Sequence, residues 1–379
     1  MTQQTKAEII RHFRKAYGRA SKAGKTHILN TIVESTGYSR KHAIALLCGP
    51  AKPKLKLVRS RPSRYTHLYN TLRRIWTVSN FLCGKRLKPF LPTLLASLKH
   101  HREIKLSKND ETLLLTMSAS TIDRLLAPAR KQITIKGRAT TKPGTLLKHQ
   151  IPIRTFADWT EDKPGFLEID LVAHCGDSTR GEYINTLDMT DIATGWTVTT
   201  AFMGRSERFC VEAINEITPS LPFSILGIDS DNGSEFINAH LMRYCERERI
   251  TFTRGRAYKK NDSCYVEQKN WDVVRKMIGY GRFDTREQLD IIKRIESLLA
   301  FYQNYFQPSQ KLISKTRIGA RVTKKYNTAQ TPAQRLLARS DTPGQTKNLL
   351  RQTFRQLNPV ALLRNINQLL EELYDTLPE

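Results

Sequence analysis

The chain contains no run of eighteen apolar residues, and its start, MTQQTKAEIIRHFRK, lacks the apolar stretch of a secretory signal. Neither a membrane partner nor export is expected; the expected location is the cytoplasm, on the nucleoid if the source is bacterial. Cysteine is sparse. Cys48, Cys83, Cys175, Cys210, Cys245 and Cys264 lie far apart with no CxxC pair, which points to reduced, mostly structural thiols. The early His12, His27, His42 and Cys48 have no spacing suited to a tetrahedral zinc site. Acids are nearly missing from the first part: residues 1–150 hold 6 Asp+Glu against 31 Lys+Arg, a net of +25 out of +27 for the whole chain. A generally basic solvated surface would spread that excess evenly. Its concentration points to a polyanion-binding N-terminal part whose affinity falls steeply with salt.

With 379 residues and 39% hydrophobic content the chain is long enough for several domains with real cores. Residues 1–50 read as a helix-turn-helix DNA-binding domain, with helices at about 24–35 and 39–48 punctuated by Thr36-Gly37-Tyr38. Arg40, Lys41 and His42 begin the second of these helices, where a recognition helix meets bases or phosphates; a plain helical bundle with a basic face is the other reading. Residues 51–64 form a basic linker. Its Arg59-Ser60-Arg61-Pro62 suits either a narrow A·T-rich minor groove or no more than a solvated tether.

Apolar periodicity marks a second helical DNA-binding domain at 65–130, followed by a basic tether at 131–159. From 160 to 306 strands alternate with helices: strands at about 166–173, 182–189, 195–203, 224–229 and 250–254, helices at 206–217, 235–248, 262–279 and 285–306. Residues 307–379 form a small C-terminal region. It comprises a basic stretch through 325, suited to follow donor or target DNA, and a helix at 358–375 capped by Asn358 with Pro359 in its first turn. The apolar stripe of that helix fits packing on its own domain or oligomerisation.

Three carboxylates carry the chemistry. Asp170 lies in the strand FLEIDLV, Asp231 in DSDNGSEF, and Glu267 in NDSCYVEQKN with thirty-five residues between it and Asp231. An acid in a central apolar strand is costly to bury without a partner, and metal coordination offsets that cost. Glu168, read as a pairing or edge residue, rivals Asp170; Asp229 rivals Asp231.

The Asp-Asn-Gly-x-x-Phe turn (Asp231, Asn232, Gly233, Phe236) and the Asn-Asp-x-x-x-Val-Glu-x-x-Asn helix start (Asn261, Asp262, Val266, Glu267, Asn270) resemble those of DDE transposases of the retroviral-integrase-like superfamily, in particular bacterial insertion-sequence transposases. The resemblance covers roughly residues 160–310. It implies an α/β RNase H-like catalytic domain and a triad of Asp170, Asp231 and Glu267 holding two Mg²⁺ ions, with Mn²⁺ as substitute. Asp170 is then the bridging ligand, and the others complete one site each. It also implies double-stranded DNA partners (element ends and target), cleavage followed by joining of 3′-hydroxyls, and a homo-oligomer on DNA. Asn270 is a DNA contact by family match, while Lys259, Lys260 and Lys269 are proposed contacts by charge and proximity. Two other activities fit the same residues: a structure-selective nuclease on the RNase H-like fold, and a domesticated DNA-binding regulator that no longer cuts.

Overall fold

A computed structural model describes residues 1–49, 63–132, 163–204, 207–230, 236, 239–254, 266 and 269–377. Arg59, Arg61, Asp231, Lys259, Lys260 and Glu267 lie outside the described residues, as does nearly all of the expected linker and tether. Contacts divide the chain into two compact units, Met1–Ser63 and Arg64–Glu379.

The first unit packs three helices, α1 (Gln3–Arg19), α2 (Lys22–Thr36) and α3 (Arg40–Cys48). α2 stops at Gly37, whose φ of +69° only glycine adopts cheaply and whose N–H donates to the Val33 carbonyl. Two residues on, the Ser39 hydroxyl accepts from the His42 N–H and starts α3. Ile10, Tyr17, Leu29, Ile32, Ala43 and Leu47 form this unit's small core.

In the second unit, β1 (Phe166–Ala173), β2 (Ile184–Asp191), β3 (Thr197–Met203), β4 (Gly227–Ser230) and β5 (Thr251–Arg254) form one sheet in the order β3-β2-β1-β4-β5. β1, β2 and β3 are antiparallel neighbours, and β1, β4 and β5 run parallel. This is the mixed sheet expected of an RNase H-like domain. Leu167, Ile169, Leu187, Met189, Val198 and Ile228 are buried, and they share one face of the pleat. That face receives α8 (Glu207–Ile217), from which Glu216 reaches the Thr200 hydroxyl.

The opposite face is polar and is covered in part by a long helix, α10 (Arg286–Phe306); α9 (Ala239–Arg247) precedes β5. A capping box between Thr285 and Gln288 starts α10, and Ile292, Ile295, Glu296, Leu299 and Tyr302 give it a buried stripe at helical spacing. Asn304 fastens it to β3, accepting from the Thr197 N–H and donating to the Thr197 carbonyl.

The helices α4 (Tyr69–Val78), α5 (Gly84–His100), α6 (Lys108–Thr116) and α7 (Ala119–Arg130) share one continuous apolar core with the sheet domain. Tyr302 of α10 donates to the Val78 carbonyl at 2.6 Å, a bond buried within that shared core. The block expected as a second, separate helical domain thus packs inside the larger unit. Local periodicity shows its helices, and only their tertiary partners show where its apolar faces go. After α11 (Pro332–Ala338) and α12 (Gly344–Gln356), α13 (Pro359–Asp375) begins with the Asn358 cap and buries Leu362, Ile366, Leu369 and Leu373. Its stripe packs against α10, so within the chain it is a core helix.

Between α10 and α11 the stretch that reads as merely basic forms an antiparallel ribbon, β6 (Leu312–Ile318) and β7 (Arg321–Tyr326). Among the described residues no helix is long and apolar enough to cross a membrane.

Candidate active site

β1 carries two acids on its polar face, Glu168 and Asp170, two residues apart and therefore on the same side of the pleat. Strand pairing gathers more. Asp170 lies opposite Asp188 of β2 and Glu168 opposite Thr190, while Glu168 also lies beside Asp229 of β4, which lies beside Thr253 of β5. Paired residues project to the same side, so Glu168, Asp170, Asp188 and Asp229 occupy one face. Asp170 is half-buried, whereas the other three are buried.

Each acid has its own environment. Asp170 accepts at Oδ1 from the Leu171 N–H at 2.8 Å and at Oδ2 from the Asn270 side-chain amide at 2.5 Å. Glu168, 0% exposed, accepts at Oε2 from the Val266 N–H at 2.9 Å. Of the reading of Glu168 as a pairing or edge residue, the edge alternative is corrected: it is an interior residue, paired on both sides in the sheet, that holds the Val266 backbone. Asp229 accepts from the Thr253 hydroxyl at 2.5 Å.

Nothing in the sequence pattern singles out Asp188. It is 0% exposed; Oδ1 accepts from Thr190 at 3.1 Å, and Oδ2 has no hydrogen-bond partner among the described residues. Burial pushes its carboxyl up to about 7, opposed by the Thr190 hydroxyl and by the Lys269 ammonium. Lys269, expected as a DNA contact, is instead 8% exposed and supplies positive charge to this acidic face from within the protein.

Asn270 opens a π-helical segment, Asn270–Arg275, that runs into the turn Lys276–Ile278. The sequence pattern predicts a regular helix over 262–279 instead. Wider winding changes which side chains share a face, and segments of this kind recur at functional sites. Val273, Val274 and Ile278 are buried as their spacing suggests, while Asn270 is turned toward Asp170.

Two residues along β2 from Asp188, on the same face, lies a second polar group. Thr186 of β2 donates to Glu296 Oε1 at 2.6 Å, and its hydroxyl lies 2.9 Å from His174 Nε2. With Thr186 donating to Glu296, His174 donates through Nε2, and its buried Nδ1 has no hydrogen-bond partner among the described residues, which disfavours a protonated ring. Burial, reinforced by Arg275, holds the His174 pKa down to about 3. Burial pushes the Glu296 carboxyl up to about 8, against the Thr186 and Ala201 hydrogen bonds and Lys293, with Glu216 adding to the rise.

Of the expected nucleic-acid contacts, Arg40, Lys41 and His42 are exposed at the start of α3. Arg40 also donates to Asn30 at 2.6 Å, and the His42 ring meets Tyr38 edge-on with centroids 4.8 Å apart. Among the described residues no three His, Cys, Asp or Glu side chains converge as ligands for one ion.

No family model matches the chain. The HTLV-2 integrase catalytic core domain, in complex with magnesium in a dimeric form, is similar at 14% identity; the match covers 38% of this chain and 90% of that one with a TM-score of 0.30. The catalytic core domain of BIV integrase is similar at 15% identity over 45% of this chain and 91% of that one, with a TM-score of 0.30. "Uncharacterized protein y4rM" of Sinorhizobium fredii (strain NBRC 101917 / NGR234) is 39% identical over 334 residues, spanning 87% of this chain and 95% of that protein. At that identity and coverage, the chain belongs to the protein family that includes y4rM.

Proposed function

We propose that the chain is a DDE transposase that binds the ends of a mobile element, cleaves them and joins the 3′-hydroxyls to target DNA. One observation carries the reading. The residues that flank two of the three candidate ligands are tied to β1: Val266 and Asn270, on either side of Glu267 in the chain, bond to Glu168 and Asp170. Likewise Ser230, which precedes Asp231, pairs with Ile169, which precedes Asp170. The connectivity favours a convergence of Asp170, Asp231 and Glu267 at one end of the sheet.

The donor set is made of carboxylate oxygens, as Mg²⁺ prefers and Mn²⁺ tolerates. The buried Asp188 oxygen with no partner among the described residues also fits a face built to have cations near it. Asp170, Asp231 and Glu267 would hold the ions, which when bound activate the attacking oxygen and stabilise the leaving one in phosphodiester transfer. The protein's own groups prepare that site. Asn270 orients the Asp170 carboxylate, Glu168 holds the Val266 backbone, and Lys269 offsets part of the negative charge. Arg40, Lys41 and His42, with Arg59 and Arg61, are assigned to the element ends; Lys259, Lys260 and Asn270 are assigned to DNA near the reacting phosphate.

The test is joining of pre-cleaved element ends to a plasmid in Mg²⁺ or Mn²⁺. Asp170→Asn, Asp231→Asn and Glu267→Gln should each abolish cleavage and joining while leaving end binding intact. Cutting without joining would assign a nuclease, and binding without either would assign a regulator.

A further inference from the structure

Every residue of β6 and β7 is exposed. The ribbon therefore has no apolar face against the body of the protein, and an isolated two-stranded hairpin is marginal in water. Its root, by contrast, is firmly held. Ser309 and Gln330 exchange backbone bonds, the Lys311 N–H donates to Asn327 Oδ1, and the Lys311 ammonium donates to the Ile192 and Ala193 carbonyls. Arg335, 7% exposed, donates to both the Ser309 and Thr194 carbonyls. At the tip, Gly319 takes a φ of +58° with nothing within 4 Å of where a Cβ would stand, as a tight two-residue reversal requires.

The charge of the blade is one-sided. Lys315, Arg317, Arg321, Lys324 and Lys325 lie on it, and no acid occurs anywhere from residue 297 to 340. Lys315 lies directly opposite Lys324, a like-charge pair that weakens the hairpin on its own. Lys315, Lys324 and Arg317 share one face with Val322, while Arg321 and Lys325 share the other with Ile318, Thr316 and Thr323. A second copy of the ribbon would bring the same charge against it, and lysines along an edge discourage strand addition.

We infer that the β6–β7 ribbon is a DNA-binding arm that inserts into a groove of duplex DNA, its cations on the flanking phosphates. A two-stranded ribbon is of the width that the major groove of about 12 Å admits. The exposed Ile318, at 77%, and the turn residues form its leading end, with Arg321 opposite Ile318. The choice of DNA as the polyanion rests on the proposed transposase reading, but the contact itself requires no catalysis.

The experiment measures binding of the full chain to a random-sequence duplex across a salt titration, for the wild type and for the triple variant Lys315→Gln, Arg317→Gln, Lys324→Gln. Each lost phosphate contact lowers the slope of log affinity against log salt by about 0.9, so three should lower it by about 2.7. Thermal midpoint and oligomeric state should not change. An unchanged slope overturns the inference, as does a changed oligomeric state with DNA binding intact, which would make the ribbon a protein-binding arm. The two readings fail separately. A slope loss in a chain that neither cuts nor joins DNA leaves the arm in place and refutes the transposase; normal joining with no slope loss does the reverse.

Discussion

Asn270→Ala isolates one contact at the candidate site. The Asn270 amide donates to Asp170 Oδ2 at 2.5 Å, and the other carboxylate oxygen is satisfied by the backbone of Leu171. Deleting the amide removes a hydrogen bond that fixes the carboxylate's direction without removing the carboxylate itself. A hydrogen bond to a charged group contributes about 1.5–3 kcal/mol. At about 1.4 kcal/mol per tenfold, that corresponds to a loss of roughly 10- to 150-fold. A loss of about 10- to 100-fold is also usual when a group that orients a metal ligand is removed. The loss should appear as a higher Mg²⁺ concentration for half-maximal joining, with partial rescue at saturating Mn²⁺ and unaltered end binding. Calorimetric titration of the chain with Mn²⁺ gives a reading that does not depend on joining. Equal metal affinity and equal half-maximal Mg²⁺ in variant and wild type would refute the claim that Asn270 orients a metal-binding carboxylate.

Three further outcomes are expected. Glu168→Ala leaves the buried Val266 N–H without its acceptor, a loss of about 1–3 kcal/mol in stability, and joining should fall with it; Glu168→Gln, which keeps an acceptor, should restore most of both, and equal defects in the two variants would show that charge rather than the hydrogen bond matters. The Glu296 carboxyl, raised from 4.5 to about 8, stays protonated in the folded chain while the unfolded chain ionises, so stability is lost as pH rises from about 4.5 to about 8. At 1.36 kcal/mol per unit the ceiling of that loss is about 5 kcal/mol. The denaturation midpoint of Glu296→Gln should therefore gain on the wild type between pH 5 and pH 8.5; His174, whose lowered pKa gives the opposite slope below about pH 6.5, cancels in the comparison, and parallel profiles would exclude Glu296 as the titrating group. Finally, residues 64–379 expressed alone should fold, because they form one unit with a continuous core, yet lose most end-specific binding; retention of that binding, measured by competition with random DNA, would place recognition outside the first unit.

Much of the site's scaffold was legible because it is encoded locally. β1 spans Phe166–Ala173, the bounds that the apolar pattern suggests, and the helix boundaries at Gly37, Ser39 and Asn358 follow from glycine and hydrogen-bonding caps acting within a few residues. The ribbon was less legible, because cations on both faces erase the period-two contrast that marks a half-buried strand. Read as a pairing or edge residue, Glu168 is an interior one whose partner Val266 lies 98 positions away.

What the sequence by itself determined is the strand-helix alternation through the sheet, several helix caps, the charge division between the two ends of the chain and the candidate acids. Only the tertiary structure decided that Asp188 stands opposite Asp170, that Lys269 is buried where its charge reaches Asp188, and that α4 to α7 share a core with the sheet. Strand register sets the first, and with a side-chain period of two a slip of one residue would have turned Asp188 to the apolar face. The other two depend on surfaces distant in sequence meeting and excluding water, which no local pattern of residues records.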